Sequence, residues 1–216
     1  MSSAINGFRS LKGFPVFVWA AIFVVALVWS GINPKDQFTW FLEVAPAIVG
    51  GVVLLVTRKS FRLTSLVYVL ILIHCIILMV GGHYTYAEVP LFDYLKELTG
   101  SGRNNYDKLG HFAQGFVPAM VAREIILRKK IINGKNWQAF FIISFCLGFS
   151  ALYELIEWGV AVATGDSAEA FLGTQGYVWD TQSDMGLALL GAIAALVTLS
   201  RFHDRQLSAL SHFQKK

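Results

Sequence analysis

Leu63-Thr64-Ser65-Leu66-Val67-Tyr68-Val69-Leu70-Ile71-Leu72-Ile73-His74-Cys75-Ile76-Ile77-Leu78-Met79-Val80-Gly81 contains no Asp, Glu, Lys or Arg. Its length is close to the roughly 20 residues that a helix needs to cross a bilayer. Five further apolar stretches lie at about 14–32, 41–57, 109–127, 137–160 and 181–200. The span at 41–57 is the shortest, and the one at 109–127 is interrupted by Gly115 and Pro118, which neighbouring helices have to accommodate. With 55% hydrophobic and 15% charged residues among 216, and a positive mean hydropathy, the chain groups with polytopic membrane proteins rather than soluble domains. No Pro-, Ser- or charge-rich linker divides it, and no internal repeat is evident. The expected fold is all-α: a single domain over residues 1–216 with six transmembrane helices in one bundle.

Basic residues set the expected orientation. Arg9 and Lys12 precede span one; Arg58, Lys59 and Arg62 follow span two; Arg123, Arg128, Lys129, Lys130 and Lys135 join spans four and five; Arg201, Arg205, Lys215 and Lys216 end the chain. That places 14 of the 18 Lys and Arg on one side and leaves Lys35, Lys96, Arg103 and Lys108 on the other. The positive-inside rule then makes both termini cytoplasmic, in a bacterial inner membrane. The net charge of +4 reflects this topology and suits anionic lipid; nothing else supports a nucleic-acid partner. Trp19, Trp29 and the full spanning length of the first stretch argue for an uncleaved anchor rather than a signal peptide. Cys75 and Cys146 fall inside spans, where a thiol packs as a small apolar group, and they suggest no disulfide framework. No feature specifies an oligomeric state.

Two external segments stand out. Between His83 and Tyr106, Val89, Leu91, Phe92, Leu95 and Leu98 alternate with Asp93, Lys96 and Glu97 ahead of Gly100, which predicts a short amphipathic helix lying in the interface. Thr164 to Trp179 carries Gly165, Gly173 and Gly176 and leads into Asp180; ordinary turn chemistry explains it, and a lid or substrate-contacting loop is the functional alternative.

The polar constellation carries the chemistry. Asp107 and His111 open span four, Glu154 and Glu157 come shortly before span five ends, and Asp180 and Asp184 open span six. All six therefore belong to one outer layer, with His111, Glu154, Glu157 and Asp184 within about 10 Å of the helix ends. Spacings of i, i+4; i, i+3; and i, i+4 put each pair on one helix face. Three such faces turned inward build a bundle-core site. Gln114, Tyr153 and Gln182 are placed to add hydrogen bonds.

Carboxylates near hydrocarbon cost on the order of 2.5–3.5 kcal/mol each even on permissive scales, so the cluster demands protons, cations or a metal. In one solution Asp107, His111, Glu154, Asp180 and Asp184 coordinate a single divalent ion; oxygen ligands with an imidazole suit magnesium, manganese, zinc or iron. His111 or Glu157 then serves as the proton carrier. In another the carboxylates share protons or pair with Lys108 and Arg103. A third is structural pairing between helices. Outside the cluster His74 reads as a packing histidine, His83 and Glu43 as candidates for the same layer, His203 and His212 as solvated tail residues, and Trp40, Trp158, Tyr177 and Trp179 as interface anchors.

The segments Asn105-Tyr106-Asp107-Lys108-Leu109-Gly110-His111-Phe112, Tyr153-Glu154-Leu155-Ile156-Glu157-Trp158 and Leu172 to Asp184 resemble the YjdF-type bacterial inner-membrane proteins, a family of unknown function. The resemblance covers most of the chain and implies a polytopic inner-membrane protein. A more distant similarity is to the VanZ-like family of glycopeptide resistance. Asp107, Lys108 and His111 match its first element, Glu154 its second with Glu157 in place of a glutamine, and Asp180 with Asp184 loosely its third.

A water-accessible acidic site bordered by bilayer suits an amphiphilic substrate, so the leading expectation is a metal-assisted hydrolase or transferase acting on a lipid or lipid-linked phosphate or glycan precursor. No Ser/His/Asp nucleophile arrangement is evident. The rivals are a non-enzymatic transporter or binding protein, which needs a polar path across the bilayer, and a structural membrane subunit, which needs a fully paired cluster.

Overall fold

The computed structural model describes residues 16–165, 169–172 and 174–213, and every regular element among them is a helix. Its elements are α1 (Val16–Gly31), α2 (Gln37–Thr57), α3 (Ser65–Tyr84), α4 (Pro90–Thr99), α5 (Tyr106–Lys129), α6 (Lys135–Thr164), α7 (Glu169–Leu172) and α8 (Asp180–Phe213). Arg9, Lys12, Gly173, Lys215 and Lys216, which entered the topology and loop readings, lie outside the described residues.

Local chemistry explains the boundaries. α2 starts four residues ahead of the expected position because the Asp36 side chain accepts the Thr39 amide at 2.7 Å and caps it. α3 is capped by Thr64, and the chain leaves its far end through Thr85 and Tyr86, both at positive φ. The interfacial α4 forms where expected and stops at Gly100, whose φ of +66° suits glycine. α8 departs from expectation. Instead of ending near residue 200 it continues to Phe213, and its 34 residues rise about 51 Å, more than a hydrocarbon core of about 30 Å.

Four helices, α2, α3, α6 and α8, have the length and apolar composition of membrane spans. α1 has the composition at 16 residues. α5 has the length, at 24 residues, but carries Asp107, His111, Gln114, Arg123 and Glu124. It tolerates them because it is the central helix, packed against α3, α6 and α8.

The α5–α8 pair is the most extensive contact, and the two helices run parallel: His111 meets Asp184 near their beginnings and Arg123 meets Asp204 near the other end of α5. A Cβ on Gly115 would overlap the Ala188 carbonyl, and one on Gly191 would overlap the Phe112 carbonyl. Small residues thus bring the two backbones into direct contact, the usual device where lipid removes the hydrophobic drive for helix association. Below that contact Leu63, Val67, Ala119, Met120, Ile142, Cys146, Ala192 and Ala195 form one apolar cluster; Trp19, Phe23, Val44, Ala47, Leu72, Cys75 and Met79 tie α1 and α2 to α3 in another. The two cysteines are buried and free, in separate clusters, as packing residues should be.

Replacing Gly115 or Gly191 by valine should lower thermal stability in detergent by more than ~3 kcal/mol, since backbone rather than a flexible side chain blocks the new atoms. Gly186→Ala, on the same helix but facing open space, should be neutral or stabilising by up to ~1 kcal/mol. Equal effects at the three positions would refute the close-approach account.

Candidate functional site

At the end of the bundle where α5 and α8 begin, the six expected polar residues meet. Asp107, His111, Glu154, Glu157, Asp180 and Asp184 are each at most 9% exposed. His111 is the hub. Its Nε2 lies 3.2 Å from Asp107 Oδ1 and 3.9 Å from Asp184 Oδ2, while its Nδ1 lies 3.1 Å from Gln114 Oε1 and 3.8 Å from Glu154 Oε1. One ligand atom each from Asp107, His111 and Asp184 fall within 4.8 Å of one another.

This geometry has a protonation consequence. An amide oxygen accepts, so the contact with Gln114 puts a ring proton on Nδ1, and in the neutral ring Nε2 then carries the lone pair. A lone pair facing two carboxylates is repulsive unless a cation stands there, whether a second ring proton or a metal ion. Asp184 Oδ1 and Glu154 Oε1 are in addition buried without a hydrogen-bond partner in the described structure.

The remaining carboxyls divide. Asp180 accepts from Arg103 Nη1, and Arg103 Nη2 also reaches Asp107 Oδ2 at 3.4 Å, so Asp180 is committed to an ion pair rather than facing Nε2. Glu154 sits on the opposite nitrogen of the ring from Asp107 and Asp184. Glu157 lies among Glu43, Glu154 and His111. Glu43, from α2, is buried and near Asp107, His111 and Tyr153, so it joins the layer. His83 does not: its Nδ1 faces the Ser30 carbonyl at 3.0 Å and its ring packs on Trp29. Lys108 was expected as a pairing partner, but its ammonium lies over the Tyr177 ring, 5.6 Å from the centroid. Gln182 is exposed and makes none of the hydrogen bonds expected of it. His74 is a half-buried packing residue whose buried Nε2 has no partner in the described structure.

Two glycines let the layer assemble. The Tyr86 ring occupies the space beside both Gly81 and Gly110, wedging α3 against the first turns of α5 between Asp107 and His111. Above, Gln175 joins both backbone groups of Asn104, with Asn104 N–H donating to Oε1 and Nε2–H to the carbonyl, each at 2.9 Å. Asn104 Nδ2 donates onward to Val89 O and Asp93. Neither Asn104 nor Gln175 was singled out from sequence, since a loop amide carries no spacing signal.

A second buried network lies at the opposite end of α5 and α8. Glu124 is fully buried and accepts from the Thr64 amide at 3.0 Å, its hydroxyl at 2.7 Å, Arg128 at 2.7 Å and His203 Nε2 at 3.0 Å. Arg123 faces His203 Nδ1 at 2.9 Å and pairs with Asp204. His203 is thus fully buried, not solvated as expected, because α8 continues past residue 200 alongside the charged end of α5. The side chain of His212 is outside the described residues.

Arg103→Met should cost about 3 kcal/mol of stability, because it strands Asp107 and Asp180 without their cation. Adding Asp180→Asn should recover part of the loss; strict additivity in that cycle would show that the pair is uncoupled.

Residues 15–205 match a family described as "Predicted membrane protein (DUF2238)". Inner membrane protein YjdF of Escherichia coli (strain K12) is 50% identical over 199 residues, which cover 92% of this chain and 95% of that protein. No solved structure matches. The VanZ-like likeness rests on the motif residues alone. By a match across most of its length and a half-identical relative, the chain belongs to the YjdF-type family of membrane proteins.

Proposed function

We propose that this protein holds a divalent metal ion between Asp107, His111 Nε2 and Asp184, and uses it on an amphiphilic substrate at the outer surface of the bacterial inner membrane. The observation that carries the reading is that His111 Nε2 faces two carboxylates beside the unpartnered oxygens of Asp184 and Glu154. Ligands about 2.0–2.2 Å from one ion stand roughly 3.0–3.4 Å apart at ordinary bond angles, so the 3.2 Å pair fits and the 3.9 Å pair needs only a small closing. Gln114 fixes the tautomer from the other side of the ring, as partners of metal-bound histidines do. This reading narrows the ligand set: Asp180 anchors Arg103, and Glu154 backs the imidazole.

A bound ion would supply Lewis acidity toward a phosphoryl or carbonyl oxygen, or an activated water. Three carboxyls take no part in the ligand set or the Arg103 pair; Glu154 backs the imidazole and Glu43 comes from α2, and we assign proton transfer to Glu157 on α6. The amphiphilic substrate follows from the surroundings. Tyr177, Val178 and Trp179 lead into Asp180 exposed, and Leu91, Tyr94, Leu95 and Leu98 form an exposed apolar stripe on α4. A hydrolase or transferase acting on a lipid or lipid-linked precursor matches a charged site with such an apolar border.

Six spans in a single domain complete the reading, with α1 and α5 joining α2, α3, α6 and α8 and both termini in the cytoplasm. The polar layers at Asp107 and Glu124 are about 25 Å apart along α5, the depth of a hydrocarbon core.

Metal analysis tests the site. Wild type purified without chelator and resupplied with magnesium, manganese, zinc or iron should retain about one ion per chain, and His111→Ala and Asp184→Asn should each lower affinity by at least about tenfold at unchanged membrane expression. Retention of no ion by folded wild type would end the metal reading. Reporter fusions test the topology: fusions after Lys59 and Lys130 should report cytoplasm, and fusions at Arg103 and Gly173 the outside. The reverse pattern would move the site to the inner leaflet.

A further inference from the structure

Far from the acidic layer, α1 and α2 both pack on α3 but make few contacts with each other. The gap between them is a crevice of about 280 Å³ in the half of the bundle that contains the start of α1 and the end of α2. Trp19, Phe23, Ile48 and Leu55 line it, Tyr68 is part of its floor, and Arg58 stands at its rim. The floor is built. Trp19 Nε1 donates to the Tyr68 carbonyl at 2.8 Å, the Trp19 and Phe23 rings stack at 5.2 Å, and Gly51 leaves room for the Phe23 ring.

The charge at the rim identifies what fits. Arg103, Arg123 and Arg128 each pair with a carboxylate, whereas Arg58 and the adjoining Lys59 have no carboxylate partner among the described residues. Residues 1–15 contain Arg9 and Lys12 and no Asp or Glu, so the chain's own N-terminal segment is cationic and ill matched to this rim. An occupant needs an apolar tail for the crevice and an anionic head for Arg58.

We infer that the α1–α2 crevice is a binding site for one anionic phospholipid, an acyl chain seated on Trp19 and Phe23 and the phosphate held by Arg58. The volume is near the lower end for small-molecule pockets, which suits a single chain rather than a whole lipid. The inference is independent of the metal site, since it uses different helices and the opposite end of the bundle.

Native mass spectrometry of the full chain in mild detergent tests it, with phosphatidylglycerol and phosphatidylethanolamine of identical acyl chains, and with phosphatidylglycerol carrying a photoreactive chain. Wild type should retain one phosphatidylglycerol at least about tenfold more tightly than phosphatidylethanolamine, whose own ammonium neutralises the head and competes with Arg58 for the phosphate. Arg58→Gln should bring that ratio toward one, and Ala20→Phe, which fills the crevice, should weaken both lipids. Photo-crosslinks should map to residues 16–24 and 48–55; this arm and Ala20→Phe keep the test alive if Arg58→Gln does not fold. Equal retention of the two lipids, a ratio untouched by Arg58→Gln, or crosslinks confined to other helices overturns the site. So does a Ser10→Cys, Ala20→Cys crosslink that added lipid does not compete away, which would seat the N-terminal segment in the crevice.

Discussion

The structure depends on the direct backbone contact between α5 and α8. Gly115 against Ala188 and Gly191 against Phe112 allow these parallel helices to approach without side chains between them. Everything polar follows from that register. Above the contact, Asp107 and His111 face Asp184; below it, Arg123 and Glu124 face His203 and Asp204. In a bilayer such contacts must come from close packing and hydrogen bonds, because lipid tails compete equally for apolar side chains.

The two polar ends are built on opposite principles. Around Glu124 the donors match the acceptors: two from Thr64, one from Arg128 and one from His203 leave the carboxylate satisfied. A buried charge so compensated holds α3, α5 and α8 together and has nothing left to offer a ligand. Around His111 the reverse holds. Six buried carboxyls, including Glu43, surround one imidazole and one guanidinium, and oxygens of Glu154 and Asp184 lack partners in the described structure. The cluster is negatively overcharged and unsaturated, a state that burial makes unfavourable without a cation or bound protons. The interval between the ends holds buried Val117, Ala119, Met120, Cys146, Ala192 and Ala195, which gives ions no polar route along the α5–α8 seam.

The layer is also covered. Arg103 bridges Asp107 and Asp180, the Tyr177 ring lies beneath both Arg103 and Lys108, and Gln175 stitches its loop to Asn104. The cover and the exposed apolar stripe of α4 belong to the same surface, since Asn104 bonds to both Val89 and Asp93. A polar centre thus lies under a thin roof, next to side chains that prefer the membrane interface.

Sequence alone determined the helical class, the position of each apolar stretch, α4 with its glycine stop, and the common layer of Asp107, His111, Glu154, Glu157, Asp180 and Asp184. These are properties of composition and of i, i+3 and i, i+4 spacing, which act within one helix. It did not separate the members of that layer. Asp180 and Asp184 have the same residue type, the same helix and the same face, yet one binds Arg103 and the other faces His111, because the difference lies in what stands opposite. It also misread His203, whose neighbours Glu124 and Arg123 are some 80 residues away in the chain. Glu43 joined the layer, and His83 left it, for the same reason: facing partners come from helix packing, and packing between distant segments leaves no periodic mark in either.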